Sequence, residues 1–347
     1  MRLRAADTAW ADTVLLGRFD NWDERTLAER LCAAGKRLVY VIDDDLMNIP
    51  PQISSASYYS QPEIQDNIRA CVDMSHAILT PSPLLAEKYG GNGRIAIRTE
   101  EPALDPVPYR PREAGGPVRI GFAGSIDRTA DIEAILRDAL IRVKHRYGDR
   151  VAFEFFGAVP AFAGELGATG IPYTDSYDEY RRVLNARAWD IGLAPMPETP
   201  FHACKHYNKF CEYSAAGIAG IYTEAPPYTF IPDRERFGRF CANTPEARYD
   251  QICAEVDDAG TREAHRREGC AYAMTALTPE AIGRALFEAH PEVFVATDVQ
   301  KGTVRRLTLL KAGNVIDQVR EKGGRHGWKL PLVAFKKLLS RLRGGWH

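Results

Sequence analysis

The reading of residues 189–217 decides the fold of this chain: Trp189-Asp-Ile-Gly-Leu-Ala-Pro195, a proline-rich loop from Met196 to Pro200, then His202-Ala-Cys204-Lys205-His-Tyr-Asn-Lys209-Phe-Cys-Glu212-Tyr-Ser-Ala-Ala-Gly217. The first piece is a short apolar run of the kind that forms a strand buried on both faces. Cys204 to Ala216 contains neither glycine nor proline, and Gly217 is a natural helix stop, so the segment predicts one helix from Cys204 to Ala216. A buried strand leading through a loop into a helix is the repeating step of an α/β fold.

On such a helix Lys205, Lys209 and Glu212 stand at i, i+4 and i+7 and share a face. Two lysines one turn apart repel, and the macrodipole opposes a cation at a helix N-terminus, each by roughly a few tenths of a kcal/mol. Both effects change sign when an anion docks there, because the helix start offers free N–H groups and positive potential. Glu212, one turn on, can accept hydrogen bonds from a ribose diol. The alternative is a solvated Lys/Lys/Glu surface.

Asp190-Ile-Gly-Leu-Ala-Pro-Met-Pro197, followed by Cys204-Lys205-x-x-x-Lys209-Phe-x-Glu212-Tyr-x-Ala-Ala-Gly217-Ile, resembles the donor-site segment of GT-B glycosyltransferases similar to family 4. The likeness extends over most of residues 117–290. It implies an α/β chain of two Rossmann-like domains whose parallel sheets face a cleft. It also implies that Lys205 and Lys209 contact the phosphates of a nucleotide sugar and that Glu212 holds its ribose. Retaining members carry a further glutamate eight positions before the ribose one, where this chain has Cys204. The resemblance therefore implies donor binding and leaves the stereochemistry of transfer open.

A chain of 347 residues can bury two domains with appendages, and its 45% apolar and 26% charged content is that of an ordinary globular protein. Seven cysteines, without close pairs or zinc spacing, argue for reduced thiols in a cytoplasmic setting. The N-terminus lacks the apolar core of a signal peptide, and no window approaches the ~18 apolar residues of a membrane span. Residues 301–347 hold twelve of the 45 Lys and Arg but only two of the 46 Asp and Glu, so the tail carries +10 and the first 300 residues −11. An acidic body argues against nucleic acid as a partner.

In chain order, strands are expected at 13–19, 37–43, 77–82 and 94–98, with helices near 23–34, 62–74 and 82–89. This unit of roughly 110 residues is shorter than the acceptor-side domain implied by the resemblance, without the first βα units expected there. Either the domain is naturally minimal or another chain or region completes it. Its second strand runs into Asp43-Asp44-Asp45, three carboxylates that need solvent or cationic partners, at a strand end where α/β sheets bind ligands. By the resemblance, Asp44 or Asp45 faces the sugar being transferred and meets the acceptor hydroxyl, as a general base. The alternative is capping of a turn or helix. The triplet also resembles the metal-binding Asp-x-Asp of GT-A enzymes, but only one βα unit precedes it, so no metal or other cofactor is expected.

A Pro/Gly-rich linker at 101–117 divides a first domain, 1–110, from a nucleotide-sugar domain, 111–290. The second domain opens with Val118-Arg-Ile-Gly-Phe-Ala-Gly124-Ser125, and small residues there let the backbone approach a diphosphate ahead of a helix at 131–147. Tight strand–helix packing explains the same glycines. In the family a basic residue downstream touches phosphate, which selects Arg128, and the connection carrying Tyr173 borders the nucleotide base. In the extension, 291–347, Pro331-Leu-Val-Ala-Phe-Lys-Lys-Leu-Leu-Ser-Arg-Leu-Arg343 is basic and amphipathic, with Trp328 and Trp346 on either side. It suits an anionic membrane surface or a dock on the acidic body.

The sequence therefore leads us to expect a cytoplasmic, peripherally membrane-associated hexosyl- or deoxyhexosyltransferase of bacterial surface polysaccharide assembly. It would move sugar from a nucleotide diphosphate sugar, bound by Gly124, Ser125, Arg128, Tyr173, Lys205, Lys209 and Glu212, to a glycan or lipid-linked acceptor. The alternatives are a non-catalytic nucleotide-sugar or glycan-binding subunit and a GT-B epimerase.

Overall fold

The computed structural model describes residues 11–91, 93–103, 105–112 and 115–294. The amphipathic segment expected over 331–343 lies outside the described residues. Thr13–Gly17 (β1), Arg37–Val41 (β2), Ala77–Thr80 (β3) and Ile95–Arg98 (β4) form a sheet in the order β1-β2-β3-β4. Val118–Gly124 (β5), Val151–Gly157 (β6), Thr169–Ile171 (β7), Ile191–Ala194 (β8), Ala219–Thr223 (β9) and Gly238–Cys241 (β10) form a second, in the order β10-β9-β8-β5-β6-β7. The two sheets fall on either side of the 101–117 linker.

Every pairing in the six-stranded sheet is parallel. Read from β7, its order is 3-2-1-4-5-6, the doubly wound arrangement. The chain leaves β5 towards one edge and returns to β8 on its other side. The crevice at the carboxyl ends of β5 and β8 is therefore a topological switch point, where open α/β sheets bind ligands. In the first sheet the strand order follows the chain, so that sheet has no such reversal.

Alternation along the strands explains why their sequences are apolar on both sides. Ile120, Phe122, Phe153, Phe155 and Leu193 join one buried cluster with the helices Thr129–Tyr147 and Pro245–Asp257. Ala123, Phe156, Ala194 and Tyr222 point the other way, into a cluster with the helices Tyr177–Arg187, Asn208–Ala216 and Ala259–Thr275. Trp189, fully buried, anchors the second cluster.

Contacts gather the described residues into two compact units, 11–41 with 61–78 and 293–294, and 42–60 with 79–292. In the first, β1 and β2 pair in parallel from Thr13↔Arg37 to Gly17↔Val41. The helices Trp22–Ala33 and Pro62–Met74 pack together, burying Ala28, Leu31, Ile68 and Cys71. Asn21 caps the first helix through the Glu24 N–H, and Pro62 opens the second where its missing donor costs nothing. The second unit holds β4, the six-stranded sheet and every residue described next.

One expected element changes form. The helix predicted from Cys204 to Ala216 begins at Asn208, after a separate short helix, Pro200–Ala203. Thr199 caps the short helix, and Tyr207, at φ −82° and ψ 48°, interrupts the chain. The interruption has a tertiary cause. Tyr207 is buried with its hydroxyl donating to Glu100, and His206 bridges Glu100 and Asn208. Those anchors override a local sequence with no helix breaker. The stop at Gly217 is as expected, in the left-handed conformation (φ 65°) that glycine adopts without strain.

Candidate functional site

Two turns form the floor of the switch-point crevice. β5 ends at Gly124 and Ser125, and β6 ends at Gly157, whose φ of +82° favours glycine. A Cβ on Gly157 would lie 2.2 Å from the Gly124 carbonyl oxygen, which accepts a 3.0 Å hydrogen bond from the Ala158 N–H. Gly157 thus lets the two strand ends touch. A 3-10 turn, Ile126–Arg128, then leads into the helix Thr129–Tyr147. Arg128 crosses to the loop after β8: Nη2 donates to the Pro195 carbonyl at 2.8 Å, and Nε lies 2.9 Å from the Asp131 carboxylate.

Above this floor is a cavity of about 260 Å³ whose walls include Gly124, Ser125, Gly157, Tyr173, Lys209 and Glu212. Five of the seven expected donor-site residues meet there. Arg128 stands at the rim loop, and Lys205 is elsewhere. An adjoining cavity of about 300 Å³ shares Glu212 and Tyr177 with the first and is also walled by Glu101, Arg181, Asn208 and Cys211.

Glu212 is held by two donors on one oxygen. Tyr180 donates its hydroxyl to Oε2 at 2.6 Å and Lys209 Nζ donates to the same atom at 2.5 Å. Lys209 also donates to the Tyr180 oxygen at 3.0 Å. The Tyr180 ring is fixed by stacking on Phe156 (centroids 5.0 Å apart) and Tyr177 (5.7 Å). Burial, then the Glu212 charge, pushes the Tyr180 phenol well above its ordinary range, so it stays a donor.

Lys205 lies in the interruption between the two short helices. Its ammonium donates to Asp44 at 2.7 Å and sits 4.5 Å from the Phe201 ring centroid. Asp45, 4% exposed, accepts from Lys88 Nζ through both oxygens, at 2.6 and 2.7 Å, and from Asn48 at 3.0 Å. Asp44 and Asp45 of the acidic triplet therefore have cationic partners, and Asp44 is the more accessible of the two candidate carboxylates, a quarter exposed. Burial, with Asp45 and Asp44 nearby, raises the thiol of Cys204 above its ordinary value. Among the described residues no three His, Cys, Asp or Glu side chains gather as a metal site.

Several participants carry no signal that sequence reasoning used. Tyr180 touches Glu212, and Gly157 closes the floor. His202 is buried beside Arg128 and Lys205, and burial followed by those two cations lowers its pKa to about 4. Arg248, fully buried, donates through Nη2 to Thr223 and to Asn243 Oδ1 (2.6 Å). Thr223 accepts from the Met196 N–H, and Asn243 Nδ2 donates to the Met196 carbonyl. The loop after β8 is thus held by Arg128 on one side and by the Arg248 network on the other. Only long-range contacts reveal these roles.

No family model matches the sequence, and a search of curated proteins finds no relative. Solved structures do match. TarM superposes with a TM-score of 0.52 at 10% identity over 75% of this chain and 51% of its own, so this chain spans about half the length of TarM. HepE of Anabaena, in complex with UDP and glucose, gives 0.55 at 13% identity over 83% of this chain and 79% of its own. Sucrose-phosphate synthase of Thermosynechococcus elongatus gives 0.55 at 13% over 82% and 74%. At such identities the likeness speaks for the fold, and it agrees with the doubly wound order of β5 to β10. The chain has the GT-B fold of glycosyltransferases.

Proposed function

We propose that this chain is a glycosyltransferase that moves a hexosyl or deoxyhexosyl group from a nucleotide diphosphate sugar to a hydroxyl of a glycan or lipid-linked acceptor, in bacterial surface polysaccharide assembly. The observation that carries the reading is the convergence of Gly124, Ser125, Lys209 and Glu212 on one cavity at the switch point. Backbone N–H groups after β5 and the start of the following helix suit a diphosphate, and Glu212 suits a ribose. The UDP and glucose bound to HepE make UDP-hexoses the first donors to try.

In this reading the acceptor oxygen forms a bond to the anomeric carbon as the bond from that carbon to the β-phosphate oxygen breaks. Asp44 takes the acceptor proton, and the nucleoside diphosphate leaves with the bonding electrons. Lys205 moves from Asp44 to the leaving diphosphate, where Arg128 also contributes positive potential. Asp45 is left out of the chemistry because Lys88 occupies both of its oxygens. The extension beyond residue 294 would attach the enzyme to the inner face of an anionic membrane, which sedimentation with phosphatidylglycerol vesicles tests.

Calorimetric titration with UDP, GDP and dTDP, with nucleotide release measured from the matching sugar donors, tests the proposal. Binding and turnover that are both lost in Glu212→Ala support it. Binding without hydrolysis or transfer favours a donor-binding subunit, a reading that Cys204 in place of the family glutamate suggests. Failure of every nucleotide to bind overturns both.

A further inference from the structure

The cluster around Glu212 is arranged more specifically than a general donor site needs. A carboxylate offers about four lone-pair sites, two on each oxygen. Here both of its side-chain donors, Tyr180 and Lys209, reach the same oxygen, Oε2. Among the described residues no donor reaches Oε1. The Glu212 side chain is 12% exposed and forms part of the cavity wall, and Oε1 is not sealed off, so a ligand entering the cavity can reach it. Two remaining acceptor sites on one oxygen match the two hydroxyls of a vicinal diol.

What fixes this division is Tyr180. Its ring is stacked between Phe156, 1% exposed on β6, and Tyr177, so its hydroxyl cannot follow the carboxylate if Glu212 rotates. Lys209, on a flexible stem, can. The ammonium that the family resemblance assigned to phosphate is itself bonded to Glu212 and to Tyr180. Lys209 therefore belongs with the ribose end of the site.

We propose that Tyr180 is a positioning residue that holds Glu212 with Oε1 presented to a ribose diol, so that the site selects ribonucleoside diphosphate donors over their 2′-deoxy counterparts. This rests on the donor-site reading above and deepens it by naming the donor class: uridine, guanosine or adenosine diphosphate sugars, and not thymidine ones. A site built to hydrogen-bond a hydroxyl rejects the analogue lacking it more strongly than an apolar pocket rejects a changed methylene. One of two hydroxyls is at stake, at a partly solvated carboxylate, so the selectivity expected is about ten-fold or more.

The test is calorimetric titration of the full chain with two matched pairs, UDP with 2′-deoxy-UDP and GDP with 2′-deoxy-GDP. The wild-type protein should bind the ribonucleotide of whichever base it accepts about ten-fold tighter or better. Tyr180→Phe, which keeps the ring and its stacking, should bring that ratio below about three while changing 2′-deoxynucleotide affinity little. Equal affinity for both sugars in the wild type overturns the inference and needs no variant to do so. A Tyr180→Phe protein that weakens both nucleotides equally and keeps the ratio shows a merely structural tyrosine and also overturns it. Absence of binding by all four nucleotides is a different failure, that of the donor-site reading itself.

Discussion

Lys205 and Lys209 are four residues apart, and a continuous helix would set them side by side. The structure gives them different work. Lys205 sits in the interruption at 204–207, with its ammonium on Asp44 and over the Phe201 ring. Lys209 is in the first turn of the helix Asn208–Ala216, locked to Glu212 and Tyr180. The irregular backbone at Tyr207 separates two cations that regular geometry would have made partners. Each is paired with a carboxylate, but the pairs differ in permanence. The Asp44–Lys205 pair has both side chains about a quarter exposed and can open to admit a competing anion, whereas Lys209–Glu212 is tied into a stacked aromatic cluster.

The largest effects should come from the fixed pair. Glu212→Ala removes the shared acceptor of Lys209 and Tyr180 and, in our reading, the ribose contact. We expect nucleotide affinity to fall about 100-fold, and stability to fall by about 1–3 kcal/mol because two partly buried donors lose their shared acceptor. Lys209→Ala should cost a similar stability. The double variant should cost less than the sum, since both changes break one cluster. Urea denaturation and titration of the three variants check this, and strict additivity would show that the two residues act separately.

Lys205→Ala should behave otherwise. Loss of a partly exposed ion pair changes stability by less than about 1 kcal/mol. Loss of a cation that meets the leaving diphosphate should lower the transfer rate about 100-fold. Steady-state kinetics beside thermal melting separates the two. A rate loss no greater than that of an ordinary surface lysine would return Lys205 to a structural role. The partner sharpens the contrast: Asp44→Asn frees Lys205, so it should bind nucleoside diphosphate about two- to five-fold tighter while transferring sugar more slowly. In a Lys205→Ala background the same change should bring no gain, and a gain there would refute competition for this lysine.

The two lysines also show how far the sequence could be read. Strand and helix positions were legible because the six-stranded sheet is buried on both faces, so runs such as Ile120-Gly-Phe-Ala123 and Ile191-Gly-Leu-Ala194 announce themselves. Gly217 was legible as a helix stop for a purely local reason, its positive φ. Short peripheral strands such as β7 and β10 carry too few apolar residues to stand out. Five of the seven candidate donor residues read from the sequence line one cavity, but the contacts they make were not legible. Nothing local says that Tyr207 must leave the helix to reach Glu100, or that Tyr180, 32 residues before Glu212, shares its proton with that carboxylate. Those facts are made by packing at long range, which periodicity does not encode.

The smallest expected effect concerns His202, which lies beside the more labile of the two lysines. Burial is the main reason that its pKa is near 4, and the Arg128 and Lys205 charges add to it. An unfolded histidine titrates near 6.5, so the unfolded chain takes up this proton first. The stability contributed by a neutral His202 is complete above about pH 6.5 and is lost as pH falls towards 4. The melting temperature should therefore decline across that window, and His202→Asn should flatten part of the decline. In Lys205→Ala the window should narrow from its acid end, because one of the two cations opposing protonation is gone. Lys209→Ala should leave it unmoved, since Lys209 is not among the charges acting on His202. If both lysine variants shift the profile alike, the separation of the two cations by the Tyr207 interruption is not what governs their environments.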